Sequence, residues 1–405
     1  MDEINVTSEI KQLRKVLLHR PGKELLNLTP ESLSRLLFDD IPFLKVAQQE
    51  HDAFANILRE NNVEVVYLED LMAETIANPE VKVKFIKQWI DEGGVRTKKW
   101  KSIIFDFLMN YKDNKELVLK TMEGINLHDV DVVTTNSLVD LVNAGNKLII
   151  DPMPNLYFTR DPFACIGKRV SINKMYSATR SRETIYAEYI FAYHPSYQGV
   201  VKKYYSRNND FNIEGGDIFN FSSSIIGVGI SQRTCSDAIE LLARRIFSSR
   251  GKIKTILAFN IPSSRAFMHL DTVFTQIDVD KFLVHPGIVN SVQVYEITKG
   301  KETEFNVKRI NGKFDEILAR YLKLDKVTLI ECAGGDSIAS QREQWNDGAN
   351  TLCIRPGTVI VYERNDVTNR ILKENGIRVL EMPSAELSRG RGGPRCMTMP
   401  LIREE

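Results

Sequence analysis

One pattern constrains the fold more than any other: a polar cluster that runs directly into a strand-like apolar stretch, four times along the chain. It occurs as Phe158-Thr-Arg-Asp-Pro-Phe-Ala, Ile213-Glu-Gly-Gly-Asp-Ile-Phe, Met268-His-Leu-Asp-Thr-Val-Phe and Trp345-Asn-Asp-Gly-Ala-Asn-Thr-Leu. Most copies carry a carboxylate at a similar place. A second echo, His19-Arg-Pro-Gly, His285-Pro-Gly and Arg355-Pro-Gly, closes strand-like runs. Units recurring at roughly 50–60 residues imply a radial repeat rather than one open sheet. In such an array equivalent strand ends converge, and the repeated carboxylates would meet at one centre. Asp and Gly are common at turns in any case, so the pattern alone leaves coincidence open.

Between these clusters, short β-branched runs alternate with amphipathic stretches. Lys15-Val-Leu-Leu-His, Lys147-Leu-Ile-Ile, Ile225-Ile-Gly-Val-Gly, Thr255-Ile-Leu-Ala-Phe, Lys281-Phe-Leu-Val-His, Lys326-Val-Thr-Leu-Ile and Thr358-Val-Ile-Val-Tyr are strand length. Residues 236–250 and 365–376 read as helices, and the alternation is α/β. From 71 to 146 the strand signal disappears. Residues 81–91, 98–111 and 114–122 read there as helices with apolar inner faces. We expect a helical insertion over 71–146, with 1–70 and 147–405 forming the main body. Trp89, Trp100 and Phe107 then belong to its core.

Composition narrows the function. With 54 Lys and Arg against 53 Asp and Glu, spread along the chain, nothing forms the basic stripe of a nucleic-acid binder. No apolar run reaches the length of a membrane span, and the acidic start lacks a secretory h-region. The five cysteines form no C-x-x-C pair, which suits a reduced, cytoplasmic protein. Cys165 and Cys353 sit in apolar runs and read as core. No histidine pair or His/Cys cluster has metal-ligand spacing, so no metal is expected.

The chemistry concentrates near the C-terminus, in Ser388-Arg-Gly-Arg-Gly-Gly-Pro-Arg-Cys396. Glycines permit a tight approach, and arginines beside a cysteine favour the nucleophilic thiolate. The same stretch reads equally as a flexible basic tail with an inert cysteine. His269 and Asp271, two apart, share a face if that segment is extended. This suits an acid–base histidine beside a carboxylate, though a solvent-facing polar strand has the same pattern. Glu214 precedes two glycines, where backbone can approach a ligand, and Asp161 is held by the bend at Pro162.

Five blocks, in order and spanning nearly the whole chain, resemble the arginine deiminase family. They are Leu37-Phe-Asp-Asp-Ile, Met153-Pro-Asn-Leu-Tyr-Phe-Thr-Arg-Asp-Pro, Ile213-Glu-Gly-Gly-Asp, Met268-His-Leu-Asp-Thr-Val-Phe and Arg389-Gly-Arg-Gly-Gly-Pro-Arg-Cys-Met-Thr-Met-Pro. The resemblance implies a five-bladed α/β propeller, or pentein, of pseudo-fivefold ββαβ modules with an inserted α-helical bundle. It implies hydrolysis of free L-arginine to L-citrulline and ammonia without cofactor, as the first step of fermentative arginine degradation. It also implies a cytoplasmic homo-oligomer with a small-molecule substrate and neither nucleic acid nor membrane as partner. The alternatives are a related hydrolase of agmatine or dimethylarginine, or a non-catalytic arginine-binding relative.

Roles follow from the resemblance position by position. Cys396 corresponds to the nucleophile, His269 to the acid–base group, and Glu214 to the carboxylate beside that histidine. Asp161 and Asp271 correspond to the guanidinium-binding aspartates. Arg180 and Arg233 correspond to arginines on the substrate's α-carboxylate, and Arg391 to a mobile arginine at the entrance. Asn155 and Phe158 line the substrate chain, while Leu37 and Gly390 offer backbone or apolar contacts. Arg395 departs from members that carry glycine or histidine before the nucleophile. The sequence leaves both protonation states of Cys396 open.

Overall fold

The computed structural model describes residues 4–130, 148–301 and 304–405. Its strands fall into five units with one repeated pattern. In each, a first strand pairs antiparallel with a second, and the second pairs parallel with a third. The units are Phe163–Ile166, Arg169–Ile172 and Lys202–Tyr205; Ile218–Asn220, Ile225–Ile230 and Thr255–Asn260; Phe274–Gln276, Lys281–Val284 and Thr328–Glu331; and Leu352–Arg355, Thr358–Tyr362 and Arg378–Met382. In the remaining unit Met399–Arg403 pairs antiparallel with Leu13–Leu18, which pairs parallel with Glu64–Tyr67. The two ends of the chain thus share one sheet.

Local chemistry explains the pattern. A hairpin suffices for the antiparallel step, but a parallel neighbour requires a crossover, here a helix. Ser236–Ser248 makes one such crossover, burying Ala238, Ile239, Leu242, Ala243 and Ile246 along one stripe. The first strands Phe163–Ile166, Ile218–Asn220 and Phe274–Gln276 are buried at every position. The long interval between His269 and Asn350 departs from the even spacing read in the sequence. It houses a hairpin, Gln293–Lys299 with Phe305–Ile310, that extends the sheet containing Thr255–Asn260.

Helices Leu68–Thr75, Pro79–Glu92, Lys98–Met109 and Asn114–Glu123 follow the first unit. The earliest begins before residue 71, and a short strand, Ile125–Asn126, pairs with Leu148–Ile150. The rest of the sequence-predicted insertion, 131–146, lies outside the described residues. Trp89 is fully buried, and Trp100 and Phe107 pack partly buried against the same core. That core is continuous with the sheets: Phe85 meets Tyr189 at 5.4 Å between ring centroids, and Ile166 and Ile226 join the same cluster. Among the described residues no helix is long and apolar enough to cross a membrane.

Candidate active site

Each first strand is entered through a polar turn, and these turns carry the candidate residues. Asp161 precedes Phe163–Ile166, Glu214 precedes Ile218–Asn220, and His269 with Asp271 precedes Phe274–Gln276. Asp347 and Asn350 precede Leu352–Arg355, and Cys396 precedes Met399–Arg403. A cavity of about 110 Å³ is lined by Cys396, His269, Asp161, Asn155, Phe158, Leu37, Arg180, Arg233, Gly390 and Arg391. Glu214 and Asp271 stand behind this wall and reach it through His269 and Cys396. All twelve sequence-predicted positions therefore belong to one neighbourhood, although they span residues 37 to 396.

Glycines make the close approach possible, in a way the sequence did not foretell. A Cβ on Gly215 would sit 1.9 Å from the carbonyl oxygen of Arg160, and one on Gly216 would sit 2.8 Å from Cγ of His269. The space beside Glu214 is therefore filled by protein, not left for a ligand. In the C-terminal loop the left-handed residue is Arg391, at φ 62°, rather than any of its glycine neighbours.

Electrostatics sort the titratable groups. His269 Nε2 lies 2.7 Å from Oε2 of Glu214, and Nδ1 lies 3.9 Å from Oδ1 of Asp161. Burial opposes charge on this ring, but the Asp161 charge and the Glu214 hydrogen bond outweigh it, and its pKa rises to about 9. Burial likewise opposes ionisation of Glu214. The His269 hydrogen bond and the Arg233 charge prevail there and hold its carboxyl below the usual range. Its Oε1 accepts the Tyr176 backbone N–H at 2.9 Å.

Cys396 behaves otherwise than its arginine neighbours suggest. Burial, and then Asp271, Asp161 and Asp347, push the thiol well above its ordinary value; Arg395 acts weakly in the other direction. The three arginines face elsewhere. Arg389 pairs with Asp40 at the surface, and Arg391 stacks 3.5 Å from the Trp345 ring centroid. Arg395 donates to Oδ2 of Asp271 at 2.8 Å. The resting sulfur is a neutral thiol, 3.6 Å from that same Oδ2.

Among the described residues, the buried polar atoms at this cavity that have no hydrogen-bond partner fall into two sets. Asp161 and Asp271 each give Oδ2 to a resident arginine, Arg180 or Arg395, at 2.9 and 2.8 Å. Each keeps Oδ1 unpartnered. Nε and Nη1 of both Arg233 and Arg391 make no hydrogen bond, each guanidinium having only a looser carboxylate contact, to Glu214 at 3.7 Å and to Asp39 at 3.8 Å. Arg180, by contrast, is hydrogen-bonded through Nε, Nη1 and Nη2 to Glu183 and Asp161. Unsatisfied buried groups are costly, so two acceptors and two guanidiniums in or just behind one cavity point to a ligand with a cationic and an anionic end.

Asp161, Glu214 and His269 also lie close enough to hold a metal ion, a cluster that ligand spacing in the sequence did not reveal. The histidine there is cationic at neutral pH, so a metal would have to displace a ring proton. Sequence reasoning missed Asn350. Its Nδ2 donates to Cys396 Sγ at 3.1 Å and to the Asp271 carbonyl at 3.0 Å, while Oδ1 accepts the Cys396 N–H at 3.0 Å. The signal was available, because Asn350 sits in the fourth copy of the repeated pattern.

Comparison with known proteins bears on this geometry. Residues 34–403 match the sequence model for arginine deiminase. The chain is 60% identical over 408 residues to the arginine deiminase of Treponema denticola, covering 100% of each. Among solved structures it resembles SxtG, an amidinotransferase from Microseira wollei, with a TM-score of 0.55 at 16% identity over 99% of this chain and 98% of that one. It also resembles AgrE, with a TM-score of 0.53 at 15% identity over 96% of this chain, and spans 39% of that longer chain. These likenesses show an α/β fold shared with both structures. By sequence, the chain belongs to the arginine deiminase family.

Proposed function

We propose that the cavity receives free L-arginine and converts it, with water, to L-citrulline and ammonia through a covalent amidino-cysteine. The observation that carries this reading is the pair of buried oxygens without a hydrogen bond, Oδ1 of Asp161 and Oδ1 of Asp271, on two carboxylates whose charges act on the Cys396 sulfur. A guanidinium is planar, permanently charged and rich in N–H donors, so it matches two such acceptors. The donors of Arg233 and Arg391 that make no hydrogen bond match the α-carboxylate, which agmatine lacks. Arg180 adds charge at that end while orienting Asp161. Asn155, Phe158, Leu37 and Gly390 enclose the aliphatic chain.

The resting charges assign the steps. Carboxylates keep the thiol protonated until the substrate cation arrives and cancels their field. The proton then leaves, with Asp271 as the nearest acceptor, and the thiolate attacks the guanidino carbon. Imidazolium His269 protonates the departing ammonia as the tetrahedral adduct collapses to the amidino-cysteine. Neutral His269 next takes a proton from water, which adds to the same carbon. Expulsion of the Cys396 sulfur leaves the ureido group of citrulline. Glu214 holds the imidazolium form required by the first half.

At the scale of the fold, we read the five strand units as blades of a propeller, because each carries a polar turn that lines the cavity or contacts a residue that does. Residues 71–146 form the inserted helical bundle of this reading, and 1–70 with 147–405 the catalytic body. Family membership favours a cytoplasmic homo-oligomer. The deciding experiment is incubation with L-arginine, agmatine and a peptidyl-arginine, scoring ammonia and ureido product. Citrulline should form from arginine alone and vanish in Cys396→Ala; undiminished turnover by that variant would sink the mechanism.

A further inference from the structure

The charge that surrounds the nucleophile does not end at Asp271. Behind it lies Arg395, 2% exposed, whose Nη2 donates to the Ile218 carbonyl at 2.9 Å and whose guanidinium stacks 3.9 Å from the Phe219 ring centroid. On its far side Nε donates to Oε2 of Glu9 at 3.2 Å. Glu9 is itself buried, and its Oε1 accepts the Asn220 backbone N–H at 2.9 Å. One line of contacts therefore runs from Glu9 through Arg395 and Asp271 to the Cys396 sulfur. Glu9 precedes the stretch matched by the family model, residues 34–403, and no step above uses it.

The charge balance explains what a carboxylate does there. Two further guanidiniums lie close by. Arg160 donates to the Arg395 carbonyl and the Thr398 hydroxyl, and Arg403 donates to the carbonyls of Lys11 and Cys353. Burial disfavours a charge on Glu9, but Arg395, Arg160 and Arg403 together hold its carboxyl below the usual range. Without that charge, Arg395 would keep Asp271 as its one carboxylate partner among the described residues. It would then draw Asp271 away from the sulfur and weaken the negative field that faces the cavity. The charged groups felt by Cys396 are Asp271, Asp161, Asp347 and Arg395, and two of these belong to this line of contacts.

We propose that Glu9 is a positioning residue of the reaction: by anchoring and neutralising Arg395, it leaves Asp271 turned to Cys396 and to the substrate cation. This rests on the reaction assigned above, but its test does not depend on turnover. In Glu9→Gln the amide can still accept the Asn220 N–H, so the charge goes while the shape stays. Alkylation of Cys396 by neutral iodoacetamide, followed on its peptide by mass spectrometry, should show a midpoint lower by about one pH unit. In the same variant KM for arginine should rise about tenfold with kcat changing less. Glu9→Asp, which keeps the charge one methylene further from Arg395, should move both readouts in the same direction by a smaller amount. A folded Glu9→Gln with the alkylation midpoint unmoved would overturn the proposal, and so would an aspartate variant shifted as far as the glutamine one. Should the glutamine variant not fold, an unshifted Glu9→Asp overturns it alone. Citrulline formation by Cys396→Ala would instead defeat the reaction assignment, so the two failures are distinguishable.

Discussion

Asn350 grips Cys396, the proposed nucleophile, from two directions, accepting its N–H and donating to its sulfur. The donor half matters most once the sulfur is ionised, because hydrogen bonds to charged groups are the stronger kind. Asn350→Ala should lower kcat at saturating arginine by about tenfold or more. An unchanged kcat would mean the contact serves the loop alone. His269 sets a second residue-scale expectation. Its pKa lies above the ordinary 6.5, at about 9, so the charged ring stabilises the fold fully below the lower value. That contribution is lost as pH rises through the higher one. In the proposed reaction the departing ammonia takes this same proton, so kcat/KM should fall on an alkaline limb near 9. A pH-rate profile with that limb near 6.5 would contradict the ion pair with Glu214. Glu9 shows why some of this was not legible in the sequence. It stands 386 positions from Arg395, and an isolated Glu before a strand carries no mark of the cation it will meet.

Elements were read more easily than their contacts. The amphipathic stripes of Ser236–Ser248 and Pro79–Glu92 follow the 3.6-residue period, which the burial of their apolar faces reproduces. What periodicity did not convey is which partner each face meets. Pro79–Glu92 turns Phe85 and Trp89 into the cluster that also holds Tyr186 and Ile226, rather than into a separate helical core. Trp89→Ala should therefore destabilise the protein by about 3–5 kcal/mol, the cost of a large buried cavity. Urea denaturation would measure that loss, while kcat per folded molecule should stay near that of the parent. A stability change confined to the helices, with the sheets unfolding as before, would argue against the shared core. The polar turns were legible as a repeat, yet the turn chemistry of Asn350 was not. Asn is common in turns for local reasons, and only the convergence of five strand ends gives it a function.

For the molecule as a whole, the ordering of the five motif blocks announced the family, and the repeated pattern announced equivalent strand entries. The extra hairpin Gln293–Lys299 and Phe305–Ile310 stayed hidden, because its alternation resembles that of any exposed strand pair. The cavity's unpartnered oxygens were hidden too, since which oxygen of an aspartate stays free depends on arginines brought from other turns. The pairing of Leu13–Leu18 with Met399–Arg403 carries a consequence for the timing of synthesis. A chain emerging from the ribosome displays Leu13–Leu18 long before it receives the neighbouring strand and the sulfur just before it. Until then the apolar edge of Leu13–Leu18 waits uncovered, a task for holding factors. A fragment interrupted before residue 396 lacks the proposed nucleophile, so on that reading interrupted synthesis leaves no half-built catalyst.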